Sequence, residues 1–257
     1  AGELTVVPLD RVPYSRVKLP NPPDETTTLV LQGGREIPVP NYPSNQETKS
    51  MLSSFSVQTI TDMAYTDGRL YVSGLSNEEF ASKLRSIAYP FKDVDAGTSA
   101  EIWHAAHNQF ETRSPVYTFV PYDIDGEPHL IASYLCTPLV KFPVSSLAPG
   151  ADVRGVTIAE LGNGNRPLDM VVYQKAGRDF LLMSNNRRGV MKIPTVGLGD
   201  APAITDAVPD GGTAGVAHEQ IPEMTGVEQL DLLDEGHVIV LARSEQGSLN
   251  LEAVPLP

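Results

Sequence analysis

The stretch Ile60-Thr61-Asp62-Met63-Ala64-Tyr65-Thr66-Asp67-Gly68-Arg69-Leu70-Tyr71-Val72-Ser73-Gly74-Leu75 decides how this chain folds. A strand-like run reaches Tyr65, breaks at Thr66-Asp67-Gly68 and resumes at Leu70. Asp-Gly between two apolar runs predicts a tight hairpin, because the turn needs positive φ and glycine takes it without a Cβ clash. The phrase returns three times. Residues 116–122 turn at 123–126 into 129–134, residues 168–173 turn at 174–177 into 180–184, and residues 227–233 turn at 234–236 into 237–242. The turn glycines stand at 68, 126, 177 and 236, spaced by 58, 51 and 59 residues.

A third strand is expected after each hairpin, at 80–87, 139–144, 190–194 and 249–251. Val140-Lys141-Phe142-Pro143 and Met191-Lys192-Ile193-Pro194 read as one element, and its Lys and Pro suit an outer strand. A fourth strand is expected at 100–106, at 153–161 and, after a Gly-rich loop, at 215–218. The last copy offers none before Pro257.

Two buried strands followed by two more polar ones resemble the blade of a β-propeller. The resemblance rests on residues 61–75 and on Leu168-Asp169-Met170-Val171-Val172-Tyr173 with Phe180-Leu181-Leu182-Met183-Ser184-Asn185. It covers about 55–257, and no Trp-Asp or double-glycine motif of a named repeat family recurs. It implies an all-β fold, a β-propeller with about four recognisable four-stranded blades whose first strands line the axis. The missing outer strand leaves alternatives open. Residues 3–9 close the ring beside 249–254, the N-terminal segment supplies a fifth, degenerate blade, or a second polypeptide completes the ring; an open β-sandwich is the other architecture.

The domain reading is accordingly a Pro-rich N-terminal arm over 1–55 and the repeats over 56–257. Strands are expected near 4–7, 14–17, 26–31 and 36–39, with a loop over 41–55. Eight prolines between Pro8 and Pro43 keep this arm out of central ladder positions. The net charge of −13 argues against nucleic acid or anionic lipid as the main partner. No run of about 18 apolar residues is present, so no helical membrane span is expected. Cys136, the single cysteine, excludes an internal disulfide. With no histidine or basic residue beside it in sequence, it reads as a buried, inert thiol.

Blade order sorts the loops onto two faces. One collects the hairpin turns. The other collects His107-Asn108-Gln109, Arg113, Asn163-Gly164-Asn165-Arg166, Asn185-Asn186-Arg187-Arg188 and Arg243, whose amide and guanidinium groups make directed hydrogen bonds. Asp62 and Asp169 stand six and eight residues before their turn glycines, an even difference that puts both on one face of their strands, pointing near the axis. Buried charges there need a partner, for which Arg166 is the nearest candidate. The candidate ligand-binding set is therefore Asp62, Asp169, Arg166, Asn165, Asn185 and Arg187, with His107, Asp62 and Asp169 as candidate ligands of a metal ion at the channel mouth. His104 and His107 would share a metal on a helix; on the strand expected here, their odd spacing separates them. Asp123-Ile124-Asp125-Gly126-Glu127 lacks the later ligands of a calcium loop. Two functions follow as expectations. One is an acidic, periplasmic or extracellular propeller binding a partner protein or small polar ligand on its Asn/Arg-rich face. The other is a metal-dependent oxidoreductase or hydrolase with its site at the channel mouth.

Overall fold

A computed structural model describes residues 5–23, 28–30, 36–38, 58–136, 138–209 and 211–257. Two short strands, β1 (Thr28–Val30) and β2 (Glu36–Pro38), pair antiparallel in the N-terminal arm. The expected loop over 41–55 and the boundary after it lie outside the described residues. From there the chain is all-β, in four successive, mainly antiparallel sheets.

The first sheet holds β3 (Asp62–Thr66), β4 (Arg69–Leu75), β5 (Ser82–Ala88) and β6 (Thr98–His104), with β7 (Gln109–Glu111) folded back on β6. The second follows with β8 (Val116–Ile124), β9 (Glu127–Tyr134) and β10 (Pro138–Pro143). The region expected as its one fourth strand splits in two. β11 (Asp152–Arg154) pairs parallel with β6 in the first sheet, and β12 (Val156–Leu161) joins β10. Gly155, whose Cβ would strike Phe142, marks the break. The third sheet holds β13 (Pro167–Lys175), β14 (Arg178–Asn185) and β15 (Gly189–Pro194). The next segment also divides: β16 (Thr213–Gly215) returns to the second sheet beside β12, and β17 (Glu219–Ile221) completes the third. The last sheet has three strands, β18 (Val227–Leu232), β19 (His237–Arg243) and β20 (Leu249–Pro255).

The hairpin turns behave as their sequences require. Asp67-Gly68, Asp125-Gly126 and Ala176-Gly177 all take positive φ at both central residues, the twist that matches antiparallel strands. At the fourth turn the Asp234 carboxylate accepts the N–H of Gly236 instead.

Three apolar cores lie between the sheets. Tyr71, Leu84 and Ile102 of the first pack on Phe119, Leu130 and Tyr134 of the second. Ile131 and Leu139, pointing the other way, pack on Leu181, Met183 and Met191 of the third. Leu182 and Val190 then meet Leu230, Val238 and Val240 of the fourth. The middle sheets are thus buried on both faces, which is why β9 and β14 read as continuous apolar runs rather than alternating ones. Among the described residues the fourth sheet is covered on one face only. Its other face carries half-buried Ile239 and Leu241 and leaves Leu251 70% exposed.

The first strands of successive sheets lie side by side, β3 with β8, β8 with β13 and β13 with β18. They line an open cavity of about 510 Å³ together with Leu241 and Leu251. Residues 5–9, the described part of the expected closing strand, form no strand, and Val6, Val7 and Leu9 are exposed. Among the described residues β20 pairs only with β19.

Candidate metal centre

Asp62 and Asp169 both line this cavity. Each carboxylate is a clamp between sheets. Asp62 accepts the N–H of Met63 and, across the seam, the N–H of Phe119 on β8, both at 2.8 Å. Asp169 does the same with Met170 and with Leu230 on β18, both at 2.9 Å. The two stand opposite Ser73 and Ser184 in register, a position that Thr118, opposite Ser133, fills in the second sheet. Burial outweighs these hydrogen bonds and pushes Asp62 up, and lifts Asp169 to about 6, with the Asp62 charge adding to the rise. The Arg166 guanidinium, expected as their partner, lies instead over the Tyr117 ring at 5.8 Å.

The Asn/Arg-rich residues form a connected network at the strand ends. Asn165 donates from Nδ2 to Asn185 Oδ1 (3.0 Å), and its own Oδ1 accepts the Arg187 N–H (3.2 Å). Arg166 and Asn185 also line a cavity of about 790 Å³ with Asn186, Glu228 and Arg243. The Asn165 carbonyl takes the N–H of Cys136 (2.8 Å), which ties this network to a second site.

His107 sits at that second site, beside His104 and Cys136 rather than among the cavity aspartates. Sequence periodicity missed the pairing because β6 stops at His104. Residues Ala105–His107 form a 3-10 turn, closed by Asn108 in the left-handed region (φ 53°). That turn converts the i,i+3 spacing from opposite faces of a strand into neighbouring positions, and the two rings lie 3.9 Å apart. β7 then runs back along β6, pinned by the Trp103–Phe110 ring contact at 5.1 Å and by Arg154 over Phe110 at 4.0 Å. It delivers Glu111 to both histidines. His104 Nδ1 meets Glu111 Oε2 at 2.9 Å, and His107 Nδ1 meets Oε1 at 2.6 Å. Cys136 arrives from the turn between β9 and β10, at φ 67°, with its sulfur 4.0 Å from His107 Nε2. One nitrogen of each histidine and the sulfur all lie within 4.8 Å of one another, the one such His/Cys/acid cluster found among the described residues. The expectation of an inert thiol fails because its basic neighbours come from another sheet.

Electrostatics couples the four groups. Burial would raise the Cys136 thiol, but His104, His107 and the Gly164 N–H bring it down to about 6. Burial holds His104 down, yet Cys136 and Glu111 lift it to about 9, and the same two partners lift His107 to about 10. Glu111 would rise on burial, but the two imidazoles hold it well below the usual carboxylate range. In this state two imidazoliums stand ring to ring beside a thiolate and a carboxylate. A divalent cation taking the place of the two Nε2 protons would leave the cluster's net charge unchanged. The Nδ1–H groups keep donating to Glu111, the carboxylate–histidine arrangement that fixes the tautomer of metal ligands. Two imidazoles and a thiolate suit zinc, cobalt or copper better than calcium or magnesium. No protein-family model matches this chain, and no curated protein matches its sequence.

Proposed function

We propose that this chain is a metalloprotein in which His104, His107 and Cys136 hold one transition-metal ion on a propeller-type scaffold. The observation that carries the reading is the single Glu111 carboxylate bonded to both Nδ1 atoms, which leaves two Nε2 lone pairs and one sulfur converging. The metal centre expected at the axis is thereby moved to the seam between the first and second sheets, with His107 as the residue common to both placements. Asp62 and Asp169 act as sheet-to-sheet clamps. The scaffold reading is supported by four sheets in chain order with their first strands around one cavity. The half-covered fourth sheet and the exposed Met63 and Tyr65 of the first favour a ring that takes a further sheet, from a second polypeptide or another part of this chain. The Asn165–Asn185–Arg187 network beside Cys136 supplies a surface for a polar ligand.

Titration with cobalt(II) tests the centre. The wild type is expected to bind one equivalent and to show sulfur-to-cobalt charge-transfer absorption. Cys136→Ser should lose that absorption, and His107→Ala should weaken binding at least tenfold. A wild type with no such band overturns the reading.

A further inference from the structure

Glu160 on β12 is completely buried, and its two oxygens are treated differently. Oε1 accepts the N–H groups of Ala105 (2.9 Å) and Ala106 (3.4 Å), the two residues between the histidines. Oε2 is buried and has no hydrogen-bond partner. An unpaired buried carboxylate oxygen is expensive, and native structures keep one where a ligand or water completes it. The two bonds to Oε1 place Glu160 directly beneath the turn that carries His104 and His107. It is outside the set of ligand atoms within 4.8 Å, so it is set back from the metal position. Three protein ligands leave a fourth, open position on a tetrahedral ion, where catalytic sites hold water. His107 is substantially exposed, which gives solvent and substrate an approach.

Resting on the metal reading above, we propose that the centre is hydrolytic and that Glu160 Oε2 accepts the proton of the water at the open position. The substrate class is an acyl ester. One water O–H bond breaks, and its proton goes to Oε2. The remaining hydroxide oxygen bonds to the ester carbonyl carbon. The carbon–alkoxide bond then breaks, and the alkoxide leaves with the proton from Oε2, giving a carboxylic acid and an alcohol. The metal, when bound, would supply Lewis-acid polarisation of the water and the carbonyl oxygen. A buried carboxylate oxygen left without a partner beside the three ligands suits a Lewis-acid ion that would bind water, whereas an electron-transfer copper site has a weak, long axial ligand.

Glu160→Gln separates this role from a structural one. Glutamine keeps an oxygen for the two N–H groups but cannot take a proton at its amide nitrogen. The zinc-loaded protein is assayed with 4-nitrophenyl acetate, and cobalt(II) binding is followed in parallel. Expected are wild-type hydrolysis well above that of the zinc-free protein, cobalt affinity of the variant within about threefold of wild type, and kcat/KM reduced about 100-fold. Wild-type zinc protein no faster than zinc-free protein, or a Glu160→Gln variant within threefold of wild type, overturns the hydrolytic proposal while leaving the metal centre standing. An absent cobalt–thiolate band in the wild type overturns both. Should Glu160→Gln lose the metal, Glu160→Asp, which retains a proton acceptor, is compared with it at saturating zinc. Recovery of at least tenfold supports the proposal, and equal rates refute it.

Discussion

Replacing Glu111 by glutamine is the sharpest probe of the cluster. The carboxylate takes one Nδ1 on each oxygen, at 2.9 and 2.6 Å. Glutamine offers one carbonyl oxygen and one NH₂ group in the same outline. One histidine keeps its Nδ1–H donor bond. The other then faces an N–H group, so its ring must present a lone pair at Nδ1 and carry its hydrogen on Nε2. That nitrogen is the one needed for the metal, so the substitution removes one ligand in three without touching a ligand residue. Losing the hydrogen-bond partner of a metal ligand commonly weakens metal affinity about 10- to 100-fold. Here a single carboxylate serves two ligands, so the upper end is expected, about 100-fold or about 2.7 kcal/mol. Competition with a chromophoric zinc chelator measures it, with circular dichroism to show that the fold is kept. An affinity within threefold of wild type would refute the argument, since it would mean that the tautomers are set by something other than Glu111.

Two further outcomes follow from the scaffold. Asp169 holds its proton to about 6 in the fold, while an unfolded aspartate releases it near 3.9. The folded state therefore binds more protons between those values, and this contribution is full below about pH 4 and lost as pH rises through about 6. Allowing for partial solvation, the stability of wild type relative to Asp169→Asn should fall by about 1–2 kcal/mol from pH 4 to pH 7. Urea unfolding across that range measures it, and a flat or rising difference contradicts the assignment. Ala176 occupies a left-handed position (φ 53°) at an exposed hairpin turn, which asparagine tolerates better. Ala176→Asn should stabilise by about 0.5–1 kcal/mol and raise Tm by about 1–3 °C in calorimetry.

The hairpins were legible because the Asp-Gly and Ala-Gly turns lie between runs long enough to be strands, and a turn of that kind is a local property. The fourth strands were legible only in part: the strand expected at 100–106 is β6, and 156–161 of the one expected at 153–161 is β12. Residues 152–154 and 213–215 join sheets other than the ones their position in the repeat suggests, and a choice between two sheet edges leaves no mark in local sequence. Asp62 and Asp169 were recognised as equivalent, and their shared orientation holds, but their partners are backbone N–H groups, which sequence does not display. His104 and His107 were read as strand residues, although Ala105-Ala106 followed by Asn108 is a fair signal for a tight turn ended by a left-handed residue. Nothing local could have placed Cys136 and Glu160 beside them, because these come from sequence-distant segments; Glu111, four residues after His107, was within local reach once the turn was read.

The seam between the first two sheets, where His107 and Cys136 face each other 29 residues apart, has a mechanical meaning. An ion gripped from both sides acts as a reversible cross-link, pinching off a loop that contains all of β8 and β9. Because the seam exists only in the folded chain, an ion bound there would add directly to the work needed to part the sheets. With the proposed ion in place, resistance to unfolding would track the metal around the chain, rising by RT ln(1 + [M]/Kd).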